Sequence, residues 1–467
     1  MTTRREFLRF ASALGAFTTL GGGAALLSGC ELREVPGAID NTGTRNVSAA
    51  LTNWLATGSP GDVFRLRRRP NGSPGRYWVP QGVRIGQSMV FDLNGCELVT
   101  GLVLGADDPD FESSRVAYPA LWDDCGAQSD PDYQSGPAQG RTWPRQRHTL
   151  LIAASGVMVT STTPVARIQG AARQVSYRSP GVIGRIGSTG CEYVSQLEEQ
   201  HAIRVGGSAG AHSDANPYQN ITIDLNDISL EFVHGDGVYL GDNHRNITII
   251  GHNLGQSVIG GTVHDTNSIS GYDGQGGDII EGETFADDRW EPWDVPLPGI
   301  HHTGRQGIAT DFRNYDTLIE GVALWRIRRS CIVWEPAAPY SEIINPTVRG
   351  IETGICQLRW MPCAGDAGPI DGLVVEDTVN YEIASISTVP SSGTATNRHA
   401  NWRLQNNRCL AGVRGKEIDT IFNLQRIDGV EILDNEIPMT IAGQGLDVTD
   451  STDVTIGPAA TVQFPAG

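Results

Sequence analysis

"NITIDLNDI", residues 220–228, decides the fold. Ile221, Ile223 and Leu225 alternate with polar residues, as on a strand with one buried face, and an Asn/Asp turn follows. The phrase returns as "NITIIGHNL" from residue 246. Looser copies start at 316 ("DTLIEGVAL"), 341 ("SEIINPTVRGI"), 370 ("IDGLVVEDTV"), 401 ("NWRLQNNRCL"), 428 ("DGVEILDNEI") and 453 ("DVTIGPAA"). Between them runs a second series of short apolar pieces: "AIRV" (202), "GVYL" (237), "GIAT" (307), "CIVW" (331) and "GICQL" (354).

Successive copies of the first series start 25 to 31 residues apart, except for one interval of 70. A unit of that length, with two or three short strands, cannot bury its apolar residues alone. Stacked units bury them around one continuous core, with parallel strands about 4.8 Å apart. Convincing two-residue Asn-Gly hairpins, which a sandwich would use, are lacking between these copies. The chain therefore reads as all-β, a parallel β-helix. "NVSAALTNWLAT" (46–57) carries Val47, Leu51, Trp54 and Leu55 at helical spacing. It is expected to cap the N-terminal end, where open strand edges would otherwise pair with other chains.

The chain has 467 residues, 57 of them Gly, and a net charge of −18. That charge argues against nucleic acid as a partner. The basic residues are almost all Arg, Lys416 being the one lysine. Residues 1–30 read as an export signal: twin arginines Arg4 and Arg5, an Ala- and Gly-rich apolar run, then "LLSGC" ending at Cys30. The ending resembles a bacterial lipobox, which implies lipid on Cys30, export, and anchorage to the outer side of the cell membrane. Residues 31–45 are expected to be a tether. The β-helix domain would span 46–467, with insertions near 106–147 and 256–300. Of the remaining cysteines, Cys356 and Cys363 are the best placed to pair outside the cytoplasm.

The cap helix followed by "RYWVPQGVRI" (76–85), together with the V-x-I-x-x-N-x-I coils, resembles the pectate-lyase-like superfamily of right-handed parallel β-helix proteins. The likeness covers about residues 45–465. It implies a right-handed coil and a polysaccharide as partner, since members are mostly polysaccharide lyases, hydrolases and epimerases. The Gly-His-Gly and Arg-Ile-Lys elements of polygalacturonases are absent. No catalytic residue carries over from a family motif, and fold alone does not fix a reaction.

Stacking the second series supplies the candidate site instead. Val238, Ile308, Ile332 and Ile355 fall in one inward column. Tyr239, Ala309, Val333 and Cys356 then face outward. Gly241, Asp311, Glu335 and Leu358 form the next outward column. Asp311 and Glu335 would sit on neighbouring coils about 5 Å apart at the backbone. Carboxyls that close cannot both ionise easily, which makes an acid and a nucleophile out of two like groups. Asp236 and Asp242 flank the same stretch as wider partners. Arg305, in "HHTGRQGIA" (301–309), would orient a sugar or its carboxylate. His301 and His302 precede it, and Trp290 and Trp293 in the insertion offer faces for sugar rings. The acidic pieces at 107–110 and 287–288 offer oxygen ligands of the kind calcium takes, without an EF-hand pattern. Three readings stand: glycosidic hydrolysis by paired carboxylates, lyase or C5-epimerase chemistry on uronates, and a non-catalytic glycan-binding or envelope protein.

Overall fold

The computed structural model describes residues 31–100, 148–170, 201–206, 217–233, 235–241, 243–255, 297–303, 306–327, 330–336, 341–354, 361–364, 368–381, 386–389, 398–409, 422–438, 446–457 and 460–462. Among these residues the strands form three sheets of fifteen, twelve and ten strands, paired in parallel from coil to coil. Each coil visits the sheets in turn. Tyr218–Asp224 lies in the first, Ile228–Val233 in the second and Val238–Leu240 in the third. The next coil repeats the order with His244–Ile250, Gly299–Thr303 and Ile308–Asp311. The chain is an all-β parallel β-helix.

The repeated Asn explains itself in backbone terms. Asn220, Asn246, Asp316, Asn345, Asn401 and Asp453 all have positive φ, between 50° and 57°. Each bends its first-sheet strand just before the apolar alternation begins. Asn and Asp adopt this left-handed conformation more cheaply than other side chains. Their side chains also link coils: Asn246 donates to Asn220 Oδ1 at 3.2 Å and Asn345 to Asp316 Oδ1 at 3.0 Å. A second such corner separates the first and second sheets, at Asp377, Asn406 and Asp434. Directly after it, Thr378, Asn407 and Asn435 form a buried ladder. The Asn407 N–H donates to Asn435 Oδ1 at 2.9 Å, and Thr378 Oγ1 donates to Asn407 Oδ1 at 2.7 Å.

The core is the stack of inward columns. Val238, Ile308 and Ile332 are register partners and fully buried. The column continues differently from the expected one. Trp334 pairs with Cys363, so the next strand of the third sheet is Met361–Ala364 and not the run at Ile355. The reason lies one sheet earlier, where Glu352–Thr353 still pairs in the second sheet.

The helix Ser48–Leu55 buries Leu51, Trp54 and Leu55, with Trp54 edge-on to Phe64 at 5.0 Å. It closes the N-terminal edge of the third sheet, taking the Arg84 N–H on Thr52 Oγ1 at 3.1 Å. Residues 31–45 are part of the coil, correcting the expected tether. Leu32–Glu34 pairs with Val63–Arg65, and Thr42–Asn46 with Arg76–Trp78. Arg33 fastens this segment through a 2.7 Å ion pair to the buried Asp62. Short strands with polar side chains pair here through their backbones, which the apolar pattern does not reveal. The second insertion ends earlier than 300, since Gly299–Thr303 is already a strand. Its roots lie at the corner between the first and second sheets. There Glu352 accepts the Leu254 and Gly255 N–H groups, both at 2.8 Å, and Leu297 packs by Trp325. Cys96 and Cys331 are buried; the side chains of Cys125, Cys191, Cys356, Cys363 and Cys409 lie outside the described residues, as does Cys30. No described helix is long and apolar enough to cross a membrane.

Burial leaves a pH signature. His399 accepts the Ile370 N–H on Nδ1 at 3.1 Å and lies against Trp402. Burial lowers its pKa from 6.5 to about 4. The fold therefore holds it neutral, while the unfolded chain protonates it near 6.5. Its stabilising contribution is complete above about pH 6.5 and is lost as pH falls to about 4. The loss amounts to roughly 3 kcal/mol. Denaturant midpoints of the wild type and His399→Gln are expected to converge from pH 7 to pH 4, and parallel curves would contradict this origin.

Candidate functional site

The third sheet builds the candidate site on its outer side. Its strands alternate as the pleat requires: Ile203 and Val205, Val238 and Leu240, Ile308 and Thr310, Ile332 and Trp334 point inward and are fully buried. The residues between them form the outward column Arg204, Tyr239, Ala309, Val333, in register along four coils. One step further along the strands, Asp311 and Glu335 are register partners on neighbouring coils. Both are partly exposed, while Tyr239 is 7% exposed. The Tyr239 phenol leans across one coil and donates to Asp311 Oδ2 at 2.7 Å. Gly241 makes this possible: a Cβ there would collide with the Tyr239 ring.

The ring itself is held from the N-terminal side. His201 stacks on it at 4.4 Å, and His148 stacks on His201 at 5.1 Å. The Arg204 guanidinium lies 5.1 Å from the ring centroid. Burial first, and then the positive potential of His201 and Arg204, push the His148 pKa well below its ordinary value. His148 is therefore neutral at neutral pH, and the stack is not a column of like charges. His201 and Arg204 are the residues that sequence reasoning missed. Their signal was present in "HAIRV", the copy one coil before "GVYL": extending the Tyr239 column backwards reaches Arg204.

Asp236 is placed elsewhere than on the outer face, correcting its expected role. It is fully buried in the turn leading into the third sheet. His201, Asp236, Gln306 and Ser330 occupy the same turn position on successive coils, linked by backbone hydrogen bonds such as Gly237 N–H to Gln306 O at 3.1 Å. Asp236 Oδ1 accepts the Gln306 N–H at 2.7 Å, and the Asp236 N–H donates to His201 Nδ1 at 3.0 Å. This carboxylate holds two turns together and does not reach solvent.

His301 is also displaced, because it belongs to the second sheet. It pairs in register with Glu231 and Trp325, stacks on Trp325 at 4.4 Å and lies 3.0 Å from Ser229 Oγ. Arg167 bridges Glu231 and Glu97 there, at 3.2 Å and 3.6 Å, so these groups form a largely buried polar ladder on a different wall. Asp242, Arg305, Trp290 and Trp293 lie outside the described residues, as does the His302 side chain. The acidic stretches at 107–110 and 287–288 lie outside them too. Among the described residues no group of three or more His, Cys, Asp or Glu is placed to hold a metal ion.

No protein-family model matches the chain, and no curated protein matches it. Solved structures with a similar course include a polygalacturonase from Erwinia carotovora ssp. carotovora. It is 11% identical with a TM-score of 0.34, and the overlap covers 94% of this chain and 95% of that one. A family 28 exopolygalacturonase of Yersinia enterocolitica is 11% identical with a TM-score of 0.34, covering 92% and 77%. PfbA, a surface adhesin of Streptococcus pneumoniae, is 10% identical with a TM-score of 0.35, covering 91% and 92%. Overlaps of this extent carry no residue and no reaction across. The acid pair on the third sheet stands on its own geometry.

Proposed function

We propose that this chain is an exported, lipid-anchored protein that hydrolyses glycosidic bonds of a polysaccharide on the outer side of its third sheet. The observation that carries the reading is the register of Asp311 with Glu335. Two partly exposed carboxyls sit on adjacent coils about 4.8 Å apart at the backbone, within reach of the roughly 5 Å carboxyl separation used for retention of anomeric configuration. One carboxyl, protonated, gives its proton to the glycosidic oxygen as the bond to the anomeric carbon breaks. The other, as carboxylate, forms a bond to that carbon. Water then displaces the carboxylate and returns a proton to the first group, so both residues end as they began. An extended glycan would lie along the stack, crossing the third-sheet strands of several coils.

A broad panel of polysaccharides tests this. The expected result is new reducing ends without the ultraviolet absorbance of an unsaturated sugar, and a first-formed product of retained anomeric configuration by NMR. An absorbing product would move the assignment to a lyase. Binding across the panel with no turnover would make the chain a glycan-binding envelope protein.

A further inference from the structure

We infer that Tyr239 divides the labour of the acid pair, holding Asp311 as the ionised carboxylate and leaving the mobile proton on Glu335. The inference rests on the hydrolase reading and deepens it, because register alone treats the two acids alike.

A phenol has a pKa near 10 and a carboxyl one near 4, so the proton of the 2.7 Å contact stays on Tyr239 and Asp311 accepts it. A hydrogen bond donated to a carboxylate favours its charged form. Glu335 faces Asp311 across one strand spacing. The donor at Tyr239 thus marks Asp311 as the carboxylate of the pair and leaves proton transfer to Glu335. The side chains described around this donor are Arg204 over the Tyr239 ring, His201 stacked on that ring with Asp236 Oδ2 at 3.3 Å from its Nδ1, and the apolar Ala309 and Val333 in the column beside Asp311. Tyr239 is also rigid, clamped by its stack and by the absence of a side chain at Gly241. A fixed donor of this kind needs no reorganisation when charge develops. Asp311 thus forms the bond to the anomeric carbon, Glu335 protonates the departing oxygen, and Tyr239 is a positioning residue that touches neither.

The test is a carboxyl NMR titration of full-length protein labelled at its aspartates, with the Asp311 signal assigned by its loss in Asp311→Asn. In Tyr239→Phe the Asp311 midpoint is expected to rise by about one unit, the scale of a lost hydrogen bond to a carboxylate. Gly241→Ala, which displaces the ring, should raise it as well. Glu335→Gln should leave it nearly unchanged, since one neutral side chain then replaces another. In an active preparation the acid limb of kcat/KM moves up with Tyr239→Phe and Gly241→Ala. An Asp311 midpoint that stays put in Tyr239→Phe overturns the assignment whether or not a glycan is cleaved. A shifted midpoint with no cleavage of any glycan overturns the hydrolase reading and leaves the order of the two ionisations standing.

Discussion

Asp311→Asn is expected to lower turnover of a cleaved glycan by about a thousandfold while leaving the thermal unfolding midpoint within a degree or two. The size follows from what a positioned acid, base or nucleophile contributes, roughly 10²–10⁴-fold. The structural neutrality follows from the contact it preserves. The Asn amide oxygen still accepts the Tyr239 phenol, so the ring keeps its place on Gly241. Glu335→Gln should cost a similar factor on natural glycans, with a diagnostic difference. On an aryl glycoside whose leaving group needs no proton, Glu335→Gln recovers most of its rate and Asp311→Asn does not. Equal loss by both variants on the aryl glycoside would contradict the roles assigned to them. Full activity in either variant would remove the acid pair from catalysis.

The second large effect is on stability. Trp402 is among the largest fully buried side chains, and its Nε1 donates to Ile370 O at 2.9 Å. It pairs in register with Val430 in the inward column of the first sheet. Trp402→Ala should therefore destabilise the fold by about 3–5 kcal/mol, since it opens a cavity and orphans a buried carbonyl. Trp402→Phe keeps most of the volume and should cost clearly less. Denaturant unfolding followed by circular dichroism measures both. In a solenoid each coil contacts only its neighbours, so the loss should show first as early unfolding of the coils around residue 402. A Trp402→Ala midpoint equal to that of the wild type would mean that the column is less tightly packed than its burial indicates.

How much of this was legible beforehand differs between the fold and the site. Alternation over "NITIDLNDI" and its copies specified strands, and their spacing specified stacking, because the period of two and the need to bury one face are local properties of the chain. The register of Val238 with Ile308 and Ile332, and of Asp311 with Glu335, followed from the same pattern. Past Glu335 the pattern misled: the next third-sheet strand is Met361–Ala364, because apolar alternation marks a strand without saying which sheet it joins. The coil of residues 31–45 was invisible for the opposite reason: its strands are held by backbone pairing and by Arg33 with Asp62, and only Val35 and Ile39, outside those strands, reach the core.

The sequence by itself determined that this chain is a stack of short parallel strands, and which acid lies above which, since both depend only on repeat length and side-chain alternation. Only the tertiary structure decided that Asp236 is buried in a turn, that His301 belongs to another wall, and that Tyr239 reaches over to Asp311 with His201 and Arg204 behind it. Those facts depend on where side chains point across coils and around corners, and packing in three dimensions sets that direction.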